Sequence, residues 1–126
     1  MGDAVVRTKG QVEAALAASL TRFEREWLGR GPRECRIAIV EDAVLARLRG
    51  VLSPAEQELA GQTGGVALIK ELRNRLVEAA RQELAKMVEQ EVGSVVIAMH
   101  TDLSIPTGER IFLFVCDQTL EGRWPE

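Results

Sequence analysis

The chain has 126 residues, 46% hydrophobic and 28% charged, with a formal net charge of −3. That length suits one domain over residues 1–126 with its own core, and the apolar content excludes a disordered chain. No apolar run approaches the ~18 residues of a membrane span, and the mild acidity argues against nucleic acid as a partner, since such binders gather positive charge.

From about Gly10 to Leu28, Val12, Leu16, Leu20, Phe23 and Trp27 recur at helical spacing and form one apolar stripe. Arg22, Glu24, Arg25 and Glu26 read as its polar remainder, and Gly29-Arg30-Gly31-Pro32 stops it. Cys35 to Val40 and Ala43 to Val51 read as a hairpin turning at Glu41-Asp42. In its second strand Val44, Ala46 and Leu48 take one face, and Leu45, Arg47 and Arg49 the other. Ser53-Pro54-Ala55-Glu56 is a capping box with proline at the first helical position. The helix it opens is short, because Gly61 and Gly64-Gly65 interrupt it.

Beyond Gly65, Ile69, Leu72, Leu76, Ala80, Leu84, Met87 and Val88 keep helical spacing to about Glu91, which predicts one helix of ~40 Å. Lys70, Arg73 and Arg75, with Glu71 and Glu78, read as its solvated face. A second hairpin follows, Ser94 to Thr101 and Ile111 to Cys116, joined by a loop over 102–109. The tail from residue 118 has no period, and residues 1–8 and 118–126 are expected to fray or to depend on a partner.

The order α-β-β-α-α-β-β predicts an α+β fold, a four-stranded antiparallel sheet with helices against it. The last strand is apolar on both sides, with Ile111, Leu113 and Val115 opposed to Phe112, Phe114 and Cys116. A sheet with one face in water alternates more cleanly. Either helices flank both faces or a second subunit covers one, and the long helix favours a homodimer.

Three stretches together resemble a known family: Trp27-Leu28-Gly29-Arg30-Gly31-Pro32, Leu48 through Glu56, and His100 through Arg110. In order and spacing they are similar to the YbcI-like, MpsC-like bacterial family, over roughly residues 10–120. The family label refers to a sodium-translocating, membrane-potential-generating system, whose other parts are membrane proteins linked to bicarbonate uptake. The resemblance thus implies an accessory or regulatory interaction protein with a membrane-protein partner, and it brings no catalytic residues. Gly61 to Gly65 departs from the charged helical stretch of relatives.

His100, Asp102, Ser104, Thr107, Glu109 and Arg110 make the densest polar cluster in the chain. On a continuing strand His100 and Asp102 share a face, an arrangement that can orient an imidazole. The same residues also serve as loop caps and a sheet-edge histidine. Arg30, within a flexible Arg30-Gly31-Pro32-Arg33 turn, offers an anion nest, and Arg47 either needs a partner or sits at an edge. A small-ligand or anion sensor, less readily an enzyme, would draw on this set. One histidine and two distant cysteines match no metal-ligand spacing, and no cofactor motif is present. Cys35 and Cys116 without a signal peptide suit a reducing cytosol and buried, reduced thiols.

Overall fold

The computed structural model describes residues 6–126. For residues 1–5 the expectation of fraying or partner dependence lies outside the described residues. The first helix, α1 (Lys9–Leu28), starts at a capping box in which Thr8 accepts from the Gln11 backbone and Gln11 reaches back to Thr8. It buries Val12, Leu16, Leu20 and Phe23 and ends at Gly29, whose φ of 85° suits glycine.

The first hairpin is β1 (Glu34–Val40) and β2 (Ala43–Arg49), turning through Glu41 at a positive φ of 54°. The Ser53–Glu56 capping box opens α2 (Pro54–Ala60), a helix with no buried residue. A glycine pair then reverses the chain. A Cβ on Gly65 would lie 1.8 Å from the Leu59 carbonyl oxygen, so only glycine fits there.

The predicted long helix is two helices, α3 (Gly65–Ala79) and α4 (Arg81–Val92), broken at Ala80 with φ −100° and ψ 6°. A straight helix of ~40 Å would overrun a sheet whose strands span about 30 Å. The break lets Ile69, Val77, Ala80, Leu84, Val88 and Val92 all reach the core. It also corrects the phase of the apolar stripe: Leu72 is 56% exposed, whereas Arg73, expected in solvent, is 3% exposed.

The second hairpin is β3 (Val96–Ser104) and β4 (Glu109–Cys116). Its connection is a tight turn over 105–108, not a loop from Asp102, because Gly108 at φ 68° donates back to the Ser104 carbonyl. The strands form one antiparallel sheet in the order β1-β2-β4-β3, with a bulge between Val96 and Ala98. Val44, Ala46, Leu48, Phe112, Phe114, Met99 and Leu103 face the helices and build the core.

The C-terminal segment, expected to fray or to depend on a partner, docks onto this body. Leu120 is fully buried, Arg123 Nη1 donates to the Val92 carbonyl and Ser94 Oγ, and the Pro125 carbonyl accepts from Lys9. At the other end Arg7 donates to the Glu91 carboxylate and carbonyl. Both cysteines are free thiols. No helix among the described residues is long and apolar enough to cross a membrane.

Candidate functional site

All helices pack on one face of the sheet, and the strand register fixes what the other face displays. Opposite the core lie Glu34, Arg36, Ala38 and Val40 of β1, then Arg49, Arg47, Leu45 and Ala43 of β2. Glu109, Ile111, Leu113 and Val115 follow in β4, and Ser104, Asp102, His100 and Ala98 in β3. Pairing divides this face across its strands. One half is charged; the other is apolar, with Val40 exposed and Ala38, Leu45, Leu113 and Val115 half-exposed. Ile97 at the bulge is 64% exposed beside it.

The charged half is an ordered network. Glu109 accepts from Arg47 Nε at 2.9 Å and Arg49 Nε at 3.4 Å, and Glu34 accepts from Arg36 at 2.6 Å. The guanidinium of Arg47, then that of Arg49, holds the Glu109 carboxyl below its ordinary range, and Arg36 does the same for Glu34. Asp102 is kept low by the Leu103 backbone N–H and by Lys70, 3.5 Å away. Arg47 was expected either paired or at an edge. It is paired, on the interior strand β2, with its head still reaching solvent.

Of the predicted site residues, His100, Asp102, Ser104, Glu109 and Arg47 therefore share the open face. His100 is exposed opposite Leu113, and no hydrogen bond joins it to Asp102 among the described residues. Thr107 sits at the exposed turn, and Arg30 lies at the end of α1, where Nη1 donates to the Leu52 carbonyl. Arg110 points the other way, into the core, because it follows Glu109 by one residue in a strand.

The three stretches that carry the family resemblance converge at one corner. Arg30 holds the Leu52 carbonyl, Val51 donates to the Gly108 carbonyl, and Arg33 donates to that of Arg49. A Cβ on Gly50, at φ 67°, would come within 2.8 Å of the Arg33 Cβ. These residues shape a hollow of about 330 Å³ lined by Arg33, Leu52, Pro106 and Thr107. A larger groove, about 650 Å³, lies between α1 and α4 over Phe23, Trp27 and Met87, away from every predicted site residue.

Sequence reasoning missed a second cluster, beneath the sheet. Arg73 of α3 donates to Glu56 through Nε (2.7 Å) and Nη2 (2.6 Å), and to the Val51 carbonyl. Its Nη1 lies 3.7 Å from Glu24, itself only 2% exposed. Arg110 donates to Thr101 and Asn74 and lies over the Phe112 ring. Burial works against the Glu56 carboxylate, but hydrogen bonds from Arg73 and Ser53 bring it down to about 2. Burial pushes Glu24 up, against the pull of Arg73 and Arg110. The signal was the spacing Ile69, Arg73, Val77, which sets an arginine in the core stripe of α3.

The family described as "Na+-translocating membrane potential-generating system (MpsC)" matches residues 8–118. The uncharacterized protein YbcI of Bacillus subtilis is 36% identical over 115 residues, covering 91% of this chain and 93% of that protein. The uncharacterized protein YrhF of the same organism is 22% identical over 103 residues, covering 81% and 84%. No solved structure matches the chain.

Proposed function

The chain belongs to the MpsC family, and from that premise we propose that it is a non-enzymatic interaction subunit. It pairs with a second copy through the open sheet face and serves, as a cytoplasmic accessory component, the sodium-translocating, membrane-potential-generating system that the family description names. The observation that carries this reading is the sheet face itself. A sheet exposed to water on one side is polar there, whereas half of this face is aliphatic.

The charge layout supports a second copy as the occupant. Arg36, Arg47 and Arg49 lie with Glu34 on β1 and β2, leaving that side net positive, and Glu109 and Asp102 lie on β4 and β3, all at one end. A two-fold axis along the strands lays β1 and β2 of one copy over β3 and β4 of the other. Basic then meets acidic and apolar meets apolar. At ~4.8 Å between strands and ~3.3 Å per residue the footprint is roughly 500 Å² per copy, at the low end for a specific interface. Such a dimer dissociates on dilution.

Light scattering after size exclusion, run over a dilution series, tests the pairing. The wild type should pass from dimer to monomer, and Leu113→Asp should stay monomeric at every concentration with an unchanged far-ultraviolet spectrum. A wild type that is monomeric at all concentrations, or a dimeric Leu113→Asp, refutes it. The transport role is read separately, in membrane vesicles from cells lacking the protein. Adding it should restore a sodium-dependent potential, and an unchanged potential refutes the role.

A further inference from the structure

Glu24 on α1, Arg73 on α3 and Arg110 on β4 are each at least 97% buried. Each also holds a side-chain atom with no hydrogen-bond partner: Oε1 of Glu24, Nη1 of Arg73 and Nη2 of Arg110. Nε and Nη2 of Arg73 are occupied by Glu56 and the Val51 carbonyl, and Nη1 of Arg110 by Thr101 and Asn74. Two Nη atoms thus carry four unmet N–H donors, and among the described residues the Glu24 carboxylate beside them accepts no hydrogen bond, its Oε2 lying 3.7 Å from Arg73 Nη1. Native proteins rarely leave buried donors unmet.

We propose that Glu24, Arg73 and Arg110 form an interior site that takes up one small monovalent anion, the size of chloride or nitrate, together with one proton on Glu24. With Glu24 ionised, its charge and that of Glu56 balance the two arginines, and an entering anion meets a like charge. Protonated Glu24 leaves the cluster one charge positive and turns its oxygen into a donor. The anion then accepts from both guanidinium groups and from Glu24, and neutrality returns.

Burial supports this by favouring the protonated carboxyl. The groups facing Glu24 are Arg73 from α3, Glu56 from α2, Arg110 from β4 and Cys35 from β1, with Asp102 of β3 acting on Arg110. The Cys35 thiol, pushed up to about 11 by burial and by Glu24, stays neutral and does not compete for the proton. The helix α2 touches the cluster through Glu56 and buries none of its own residues.

The experiment is thermal unfolding of the full chain in sodium nitrate against sodium gluconate, an anion too large for the site, at equal ionic strength from pH 5 to 8. Nitrate should raise the midpoint at pH 5, and its apparent affinity should fall tenfold per pH unit once Glu24 ionises, as one coupled proton requires. Titration calorimetry of nitrate in two buffers of different ionisation enthalpy should record one proton taken up per anion. Glu24→Gln, which fixes the neutral form, should bind nitrate with the same affinity at pH 5 and pH 8. Equal midpoints in nitrate and gluconate at every pH overturn the proposal, as does nitrate binding without proton uptake. The wild-type calorimetry decides the matter even if the variant fails to fold.

Discussion

Replacing Arg73 by Met removes the cation that two carboxylates share while keeping most of the aliphatic stem. Glu24, 2% exposed, and Glu56, 19% exposed, are then left without their guanidinium. Removing one partner of a buried pair costs about 3–5 kcal/mol. The fall of Glu56 from 4.5 to about 2, which Arg73 shares with hydrogen bonds from Ser53, sets an upper bound on its part. At 1.36 kcal/mol per unit it is worth about 3 kcal/mol, less a discount for partial exposure. For a chain of this length 1 kcal/mol moves the midpoint about 4 °C, so Arg73→Met should lower it by about 12–20 °C. Because Glu56 is depressed in the folded state, its contribution is present above its unfolded value near 4.5 and lost as pH falls toward about 2. The wild type should lose stability over that window, and Arg73→Met should lose less of it. Replacing Glu24, Glu56 and Arg73 together by Met should recover most of the single-variant loss, since apolar packing substitutes well for buried charge. Calorimetry from pH 2 to 7 measures all three. A single variant that melts within 4 °C of wild type, or keeps its acid profile, refutes the reasoning.

Gly65→Ala drives a Cβ to 1.8 Å from the Leu59 carbonyl oxygen, so backbone must shift. Urea unfolding should show a loss of about 1–3 kcal/mol or more, and an unaffected variant would mean that the turn between α2 and α3 has another path. Leu120→Ala removes a fully buried side chain from the C-terminal segment. It should cost about 2–5 kcal/mol and speed amide exchange at Arg123, whereas a loss under 0.5 kcal/mol would mean that the segment does not dock.

What the sequence disclosed followed wherever one physical signal acted alone. The stripe from Val12 to Phe23, the Ser53–Glu56 capping box and the alternation of β2 each had a single reading, and each stands in the structure. The α3 helix is different because apolar residues occupy two adjacent stripes, Leu68, Leu72 and Leu76 beside Ile69 and Val77. Periodicity cannot choose between stripes one residue apart. The choice was made by Arg73, whose carboxylate partners lie 49 and 17 positions away and leave no local trace. Hydropathy counts Glu24 as a solvated residue for the same reason. The polar cluster from His100 to Arg110 was legible as a cluster but was divided wrongly, since a loop over 102–109 suspends the alternation that a strand imposes. Once β3 runs to Ser104 and β4 begins at Glu109, alternation alone sends Arg110 to the core and leaves the rest outside.

Three surfaces are candidates for the proposed second copy, and their chemistry ranks them. Edge pairing would use β1 or β3, but β3 is bulged at Ile97, a device that spoils a flat edge. The α3 stripe exposes Leu68 and Leu72, each at 56%, which is two side chains on a convex surface. The sheet face spans four strands, and its apolar half adjoins a charged half that is net positive on β1 and β2 and net negative on β4 and β3. Rim charges of that kind add little affinity, but they penalise wrong orientations, because any rotation that sets Arg47 over Arg47 costs energy. Only the axis along the strands satisfies both halves at once. That is why the face, rather than either larger exposed leucine, is the surface on which a single substitution at Leu113 should separate the copies.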